Sequence, residues 1–348
     1  MWDTPGYLVA FRCVIEFRYI LYTLMFPPPR RVRMRSDMYK DDQTQNKGTV
    51  LVFGATGKQG GAVAAALRAN GWAVRALVRN TAREEVQRLA SAGIDIFAGD
   101  FADMTSVENA MAGVDGVFSV QPNSGSAGSG ITDSEEVRIG KSVADIAMQS
   151  GVRHLVYSSA GIISRGKTGL PNLDTKIEIE EHIRSLDLPS TIIRPATFMD
   201  LFTLPGFGLD QETFSFFVHP DQPFQAIAVD DIGKIAAQVI EHPSVYAGRT
   251  IEIAGDELTG LELAEALSYA ADRRIAYQRF PDVVLNGNEF LRRNAKLFEE
   301  GRAAGNANIA ALENEFGELW SVSDWLAGPG KPALQAALAS DDRPLELR

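Results

Sequence analysis

Three glycines spaced G-x-x-G-x-x-G, Gly54, Gly57 and Gly60, lie in the run Thr49 to Gly61, TVLVFGATGKQGG, where an apolar stretch breaks off into a turn. Val50 to Phe53 are four consecutive apolar residues, the pattern of a strand buried on both faces. Ala62 to Leu67 are mostly strong helix formers, and Asn70-Gly71 supplies a stop. A strand, a glycine turn and a helix in succession aim free backbone N–H groups and the positive end of a helix dipole at one point, which suits a pyrophosphate. The turn residues Gly54, Thr56, Gly57, Lys58, Gln59 and Gly60 are therefore expected to hold a dinucleotide rather than serve helix packing alone. A triphosphatase P-loop is excluded, because Gln59 follows Lys58 where that motif needs Ser or Thr.

The type of dinucleotide turns on the end of the next strand, Ala73 to Val78, which closes on Arg79-Asn80. An NAD site places Asp or Glu there to take the ribose 2′-OH. Here a cation stands instead, and Arg79, with Asn80 beside it and Lys58 or Arg83 to help, can pair with a 2′-phosphate. NADP(H) is expected in preference to NAD(H). Asp100 and Phe101 are expected to flank the adenine. Gln121, Pro122 and Ser158 are expected to line the nicotinamide side, with Pro195 and Phe198 completing the wall.

These residues need a frame. Strands are expected at Ile94–Ala98, Gly116–Val120 and His154–Tyr157, alternating with helices at Arg83–Ala92, Ser106–Met111 and Thr132–Ser150. This repetition predicts an α/β fold, a doubly wound parallel (Rossmann) sheet with its ligand crevice at the carboxyl ends of the strands. The stretch Asn123–Gly130, NSGSAGSG, reads as a flexible loop that either covers a ligand or is surface slack. Further on come a helix at Leu173–Leu186, a strand at Ser190–Ile193 ended by Pro195, and short strands at Phe224–Val229, Arg249–Ile253 and Ile275–Phe280. Helices are expected at Asp231–Glu241, Leu261–Ala271 and Val283–Phe298. The whole of 49–330 reads as one nucleotide-binding domain interwoven with a smaller C-terminal α/β substrate lobe, mainly 195–225 and 255–330. A polar tail follows at 340–348.

Across 348 residues the formal charge is −11, which disfavours direct nucleic-acid binding. The single Cys13 and the four scattered histidines predict neither a disulfide framework nor a metal site. Residues 1–48 differ from the rest, with eight basic residues against five acidic ones. Their apolar part, Tyr7 to Phe26, is interrupted by Arg12, Glu16 and Arg18 and makes a poor membrane span. The segment reads either as an organelle presequence or, the favoured alternative, as an extension ahead of a true start at Met34 or Met38. A cytoplasmic protein is the expectation.

The pattern resembles a family. GATGxxG after a strand, a second strand closing on VRN, GD before an aromatic residue, YSSA, the isolated Lys176, RPATFMDLF and VDDI at Val229–Ile232 together resemble the NmrA-like family of atypical short-chain dehydrogenases, over about residues 49–330. The resemblance implies a Rossmann domain preferring NADP(H), a small substrate lobe, and a place among redox-sensing regulators and quinone or nitro-compound reductases. Conventional short-chain dehydrogenases carry Tyr-x-x-x-Lys on one helix, the lysine holding the ribose and the tyrosine passing a proton. Lys176 fits the lysine, and is the one catalytic candidate; Asn172 stands where the tyrosine belongs. The alternative for Lys176 is a helix-surface pairing with Glu180 at i+4. Two functions stay open. One is an NADPH-dependent oxidoreductase on a small apolar acceptor such as a quinone, bound among Phe198, Met199, Phe202, Phe214, Phe216 and Phe217. The other is a non-catalytic NADP(H) sensor signalling through a regulatory partner or a second copy of itself.

Overall fold

The computed structural model describes residues 47–124 and 130–339. The N-terminal segment before residue 47, the centre of the glycine-serine loop and the polar tail lie outside the described residues. In chain order the first part runs β1 (Thr49–Val52), α1 (Lys58–Ala69), β2 (Ala73–Val78), α2 (Glu84–Ser91), β3 (Asp95–Ala98), α3 (Met104–Met111), β4 (Gly116–Ser119), α4 (Asp133–Gln149), β5 (His154–Ser158), α5 (Pro171–Ser185) and β6 (Ser190–Pro195). There follow β7 (Thr197–Phe198), β8 (Thr213–Phe216), β9 (Pro223–Ile227), α6 (Val229–Glu241), α7 (Pro243–Tyr246), β10 (Thr250–Ile253), β11 (Asp256–Thr259), α8 (Gly260–Ala271) and β12 (Ala276–Arg279). The chain closes with α9 (Asp282–Gly287), α10 (Glu289–Glu299), α11 (Ile309–Phe316), α12 (Val322–Ala327) and α13 (Lys331–Leu338).

Seven strands form one parallel sheet in the order β10-β6-β5-β4-β1-β2-β3. Successive side chains of a strand point to opposite faces, so the unbroken apolar run of β1 feeds two cores. Val50 and Val52 pack with Val63 and Leu67 of α1 and with Ile232 and Ile235 of α6. Leu51 and Phe53 pack on the other face with Val107 of α3, Val143 of α4 and Ile179 of α5. Helices α1 and α6 meet at Gly233, where a Cβ would stand 2.6 Å from the Ala62 carbonyl oxygen.

A third core belongs to the C-terminal lobe. Within it Phe202 lies edge-on to Phe214, Phe216 and Phe224 with centroids 6.1, 6.0 and 6.0 Å away. Such edge-to-face pairs add to the burial of the rings. Around it sit the parallel pair β8–β12 and the small sheet β11-β9-β7.

The structure departs from the sequence expectations at two informative points. The sixth strand runs on through Pro195, which pairs with Ile253. Past Ile193 the strand has β10 alone beside it, so the missing proline N–H leaves no ladder bond unmade, while Ala196 N–H donates to Ile253 O at 2.9 Å. The single helix expected over Val283–Phe298 is two, because Asn288 turns extended and its side chain caps α10 by accepting from Leu291 N–H at 3.1 Å.

Candidate active site

The order of the sheet reverses between β1 and β4, and the carboxyl ends of the strands there open into a cavity of about 1350 Å³. Pockets for one drug-sized ligand ordinarily enclose about 300–1,000 Å³, so this cavity is large enough for a ligand of dinucleotide size. Every residue singled out above for the cofactor lines this cavity, from the glycine turn through Arg79, Asp100, Gln121, Ser158 and Lys176 to Phe198.

At the cavity floor Gly54 takes a left-handed turn, φ +67°, and its carbonyl accepts from Gly57 N–H at 2.8 Å. Helix α1 then begins at Lys58, four residues ahead of the alanine run, with no side-chain cap and no acid in its first turn. The positive helix end is thus left for an anion. Gly60 is obligatory, since a Cβ there would lie 2.4 Å from the Gly54 carbonyl oxygen.

The three cations near the cofactor end differ in what they hold. Lys58 Nζ bridges to Asp200 Oδ1 at 2.6 Å, and Arg83 to Glu85 at 3.1 Å. Arg79 is exposed at the end of β2 and has no ion pair or hydrogen bond among the described residues. Of the three it alone is uncommitted. Asn80 and Asp100 cap their own turns, accepting from Ala82 N–H at 2.9 Å and Ala102 N–H at 2.8 Å, while Phe101 lies against Phe53 with ring centroids 5.3 Å apart.

Lys176 is buried, not on the helix surface, and it does not pair with Glu180. Its Nζ donates to Glu136 Oε1 at 2.6 Å across to α4, and to its own helix at Asn172 O, 3.4 Å. Glu180 is already saturated: Arg194 clamps both its oxygens at 2.9 and 2.6 Å, and Arg184 and Ser159 donate at 2.6 and 2.5 Å. Burial works against its charge, yet these donors hold the Glu180 carboxyl below the usual range. Glu136 itself is 2% exposed, and its other oxygen accepts from Ser124 N–H and Oγ at 2.9 and 3.0 Å. Beside this pair lies Tyr157, whose hydroxyl burial and the charges of Glu136 and Glu180 push upward, so it stays protonated.

Two buried polar atoms, just past the end of β4 and at the end of β5, lack partners among the described residues. Ser158 Oγ is one; Gln121 Oε1 is the other, its Nε2 being spent on Ser119 Oγ at 2.7 Å. Buried polar atoms are nearly always satisfied, so such a pair on a cavity wall marks a place for a ligand. The aromatic residues divide. Phe198, Phe216 and Phe217 reach the cavity, whereas Met199, Phe202 and Phe214 are fully buried core.

Glu136, Asp200 and Tyr157 line the site although sequence reading assigns none of them a role of its own, Tyr157 and Asp200 standing only as members of the YSSA and RPATFMDLF motifs. Glu136 had a signal, an acid at i−3 and i−7 from Ile139 and Val143 on the buried stripe of α4. The pairing of Asp200 had none beyond its place in RPATFMDLF, since its partner Lys58 lies 142 residues away.

A glycine turn at the switch point of a parallel sheet running 3-2-1-4-5-6 defines the Rossmann-like, doubly wound α/β class. The model of the NmrA-like family matches residues 46–321, and the chain belongs to that family. A relative from Aspergillus hancockii, an NmrA-like family domain-containing oxidoreductase, is 31% identical over 250 residues, 66% of this chain and 74% of its own. The fold matches NmrA, a negative transcriptional regulator solved in complex with NADP, at TM-score 0.70 and 22% identity over 84% of this chain and 98% of that one. It also matches an NADPH-dependent quinone oxidoreductase from Escherichia coli complexed with NADPH, at TM-score 0.65 and 20% identity over 80% and 98%. Among the described residues no helix is long and apolar enough to cross a membrane, and no group of His, Cys, Asp or Glu is arranged to hold a metal.

Proposed function

We propose that this chain binds NADP(H) and uses it to reduce a small, apolar aromatic acceptor of the quinone type. The observation that carries this reading is the continuity of one cavity from the uncapped end of α1, past the uncommitted Arg79, to the aromatic wall of the C-terminal lobe. The fit is supported by the close approach that only Gly60 permits and by the unpartnered Ser158 and Gln121. The oxidoreductase name of the relative and the NADP(H) complexes of the two structural neighbours point the same way.

In this reading the turn 54–60 holds the pyrophosphate, Arg79 the 2′-phosphate, Asp100 and Phe101 the adenine side, and Lys176 the nicotinamide ribose. Gln121, Pro122, Ser158, Pro195 and Phe198 wall the nicotinamide end. Segments 195–225 and 255–330 supply the substrate lobe. The cofactor supplies a hydride when bound; the chain supplies orientation and a dry wall. Asn172 in place of a tyrosine leaves no acid one turn from Lys176 on its own helix, which suits a quinone, because the charge left by hydride addition spreads over the ring without a proton delivered in the same step. Loss of NADPH absorbance in stopped flow with a panel of quinones and nitroaromatics tests the reading, and no turnover across the panel sinks it.

A second reading, a non-catalytic NADP(H) sensor, is favoured by the same Asn172 and by the Lys58–Asp200 bridge that ties the glycine turn to the segment leading into the lobe. It predicts tight NADP(H) binding with no acceptor consumed.

A further inference from the structure

Helix α10 presents Phe290, Asn294 and Phe298 to the cavity. The spacing i, i+4, i+8 sets the three on one face of the helix. The rest of that wall, Phe216, Phe217, Leu201 and Leu204, is apolar. Asn294 is therefore the one polar side chain in an aromatic stripe, and its amide makes no hydrogen bond among the described residues.

The helix holding it is fixed at both ends and from the side. Asn288 caps its start, the Phe298 carbonyl accepts from Gln222 Nε2, and Arg293, next to Asn294, donates through Nε to Thr168 O at 2.6 Å. A helix so anchored keeps the half-buried Asn294 on this wall, since rolling it away would break the Arg293 contact. An amide held on a hydrophobic wall adds nothing to packing, and its two N–H donors remain for whatever fills the cavity.

We propose that Asn294 is the specificity-determining residue of the substrate lobe, selecting an uncharged aromatic ring that bears a carbonyl oxygen and donating to that oxygen through Nδ2. The inference rests on the substrate half of the function proposed above and names its recognition element. A neutral hydrogen bond is worth about two- to twelvefold in binding, and a hydrogen-bonding site rejects the analogue lacking the polar atom more strongly than a hydrophobic site rejects a lost methylene.

The test compares binding of 2-methyl-1,4-naphthoquinone and 2-methylnaphthalene to the full chain saturated with NADP⁺, a state in which no turnover occurs, by titration calorimetry. The wild type is expected to favour the quinone about tenfold. Asn294→Leu should bring the ratio near one while keeping the hydrocarbon and NADP⁺ affinities. Asn294→Asp, which keeps the size but offers only acceptors, should also lose the quinone preference and gain one for 1-naphthol. An unchanged quinone preference in both variants, or a wild type that binds neither ring, overturns the inference. Failure of NADPH consumption with the tenfold ratio intact overturns the oxidoreductase reading and upholds the role of Asn294; turnover with an unchanged ratio in both variants does the reverse.

Discussion

Arg79 ends β2 with an exposed guanidinium that no described carboxylate neutralises, whereas Lys58 and Arg83 are each engaged. A 2′-phosphate is the ligand feature that separates NADP(H) from NAD(H), so the Arg79→Glu protein should lose tenfold or more in NADP(H) affinity and little in NAD(H) affinity, read by quenching titrations of both. Equal loss for the two would remove Arg79 from cofactor choice. Lys176 and Glu136 pose a different residue question, because a buried pair is sensitive to loss of one member. Glu136→Gln should destabilise the protein by about 3–5 kcal/mol, since it leaves the ammonium buried without its counter-charge. Pairing it with Lys176→Met should recover much of that loss, and urea midpoints for the three variants give the coupling directly. An additive double variant would show that the two side chains do not depend on each other. The lysine itself was legible from its helix and its isolation; its partner was not, because i+4 geometry on one helix competes with a contact between helices that a sequence does not display.

At the scale of elements, the doubly wound half was readable because its strands are runs of consecutive apolar residues and its helices have amphipathic periodicity. The lobe was less so. Strand β8 is Thr213–Phe216, part of a two-stranded pair, and its phenylalanines fit a core helix as well as a strand by pattern alone. The three helices after residue 308 were not read at all; α11 packs on the α6 face through Leu312 and Phe316, and α12 joins the lobe through Trp325 and Leu326. What ties this C-terminal stretch back is Asp231 in the first turn of α6, which accepts from Trp320 N–H at 2.9 Å. Burial raises the Asp231 pKa from 3.8 to about 6. The folded chain thus holds this proton more tightly than the unfolded one, so the group's stabilising contribution is complete below about pH 4 and is lost as pH rises through 6. Asp231→Asn keeps the acceptor and removes the titration. Relative to the wild type it should gain roughly 1–3 kcal/mol on going from pH 4.5 to 7.5, as urea unfolding at the two pH values would measure. A constant difference between the two proteins would refute the assignment.

For the whole molecule, the Lys58–Asp200 bridge joins its two functional halves across the cavity. Lys58 opens α1 at the phosphate end; Asp200 lies in the turn that leads from β7 into the aromatic lobe. The second Asp200 oxygen is buried without a partner, and burial together with the Asp200 charge raises the pKa of nearby Asp230. A carboxylate is therefore held beside the place where the glycine turn would receive a pyrophosphate. A phosphate bound there would compete with Asp200 for Lys58 and be repelled by the charge left behind, which would link cofactor binding to the position of the lobe turn. Lys58 is more than half exposed, and pairs of that kind contribute at most about 1 kcal/mol. Asp200→Asn should accordingly tighten NADPH about three- to fivefold, by freeing Lys58 and removing the repulsion. The gain should shrink at high salt, where exposed charges are screened beyond a few ångströms. NADPH titrations of wild type and variant at 20 mM and 500 mM salt, about 22 Å and 4 Å of screening length, separate this from a packing effect, which salt would leave untouched. If the variant binds NADPH no better at either salt, the two halves are joined by packing alone and the bridge carries no signal between cofactor and lobe.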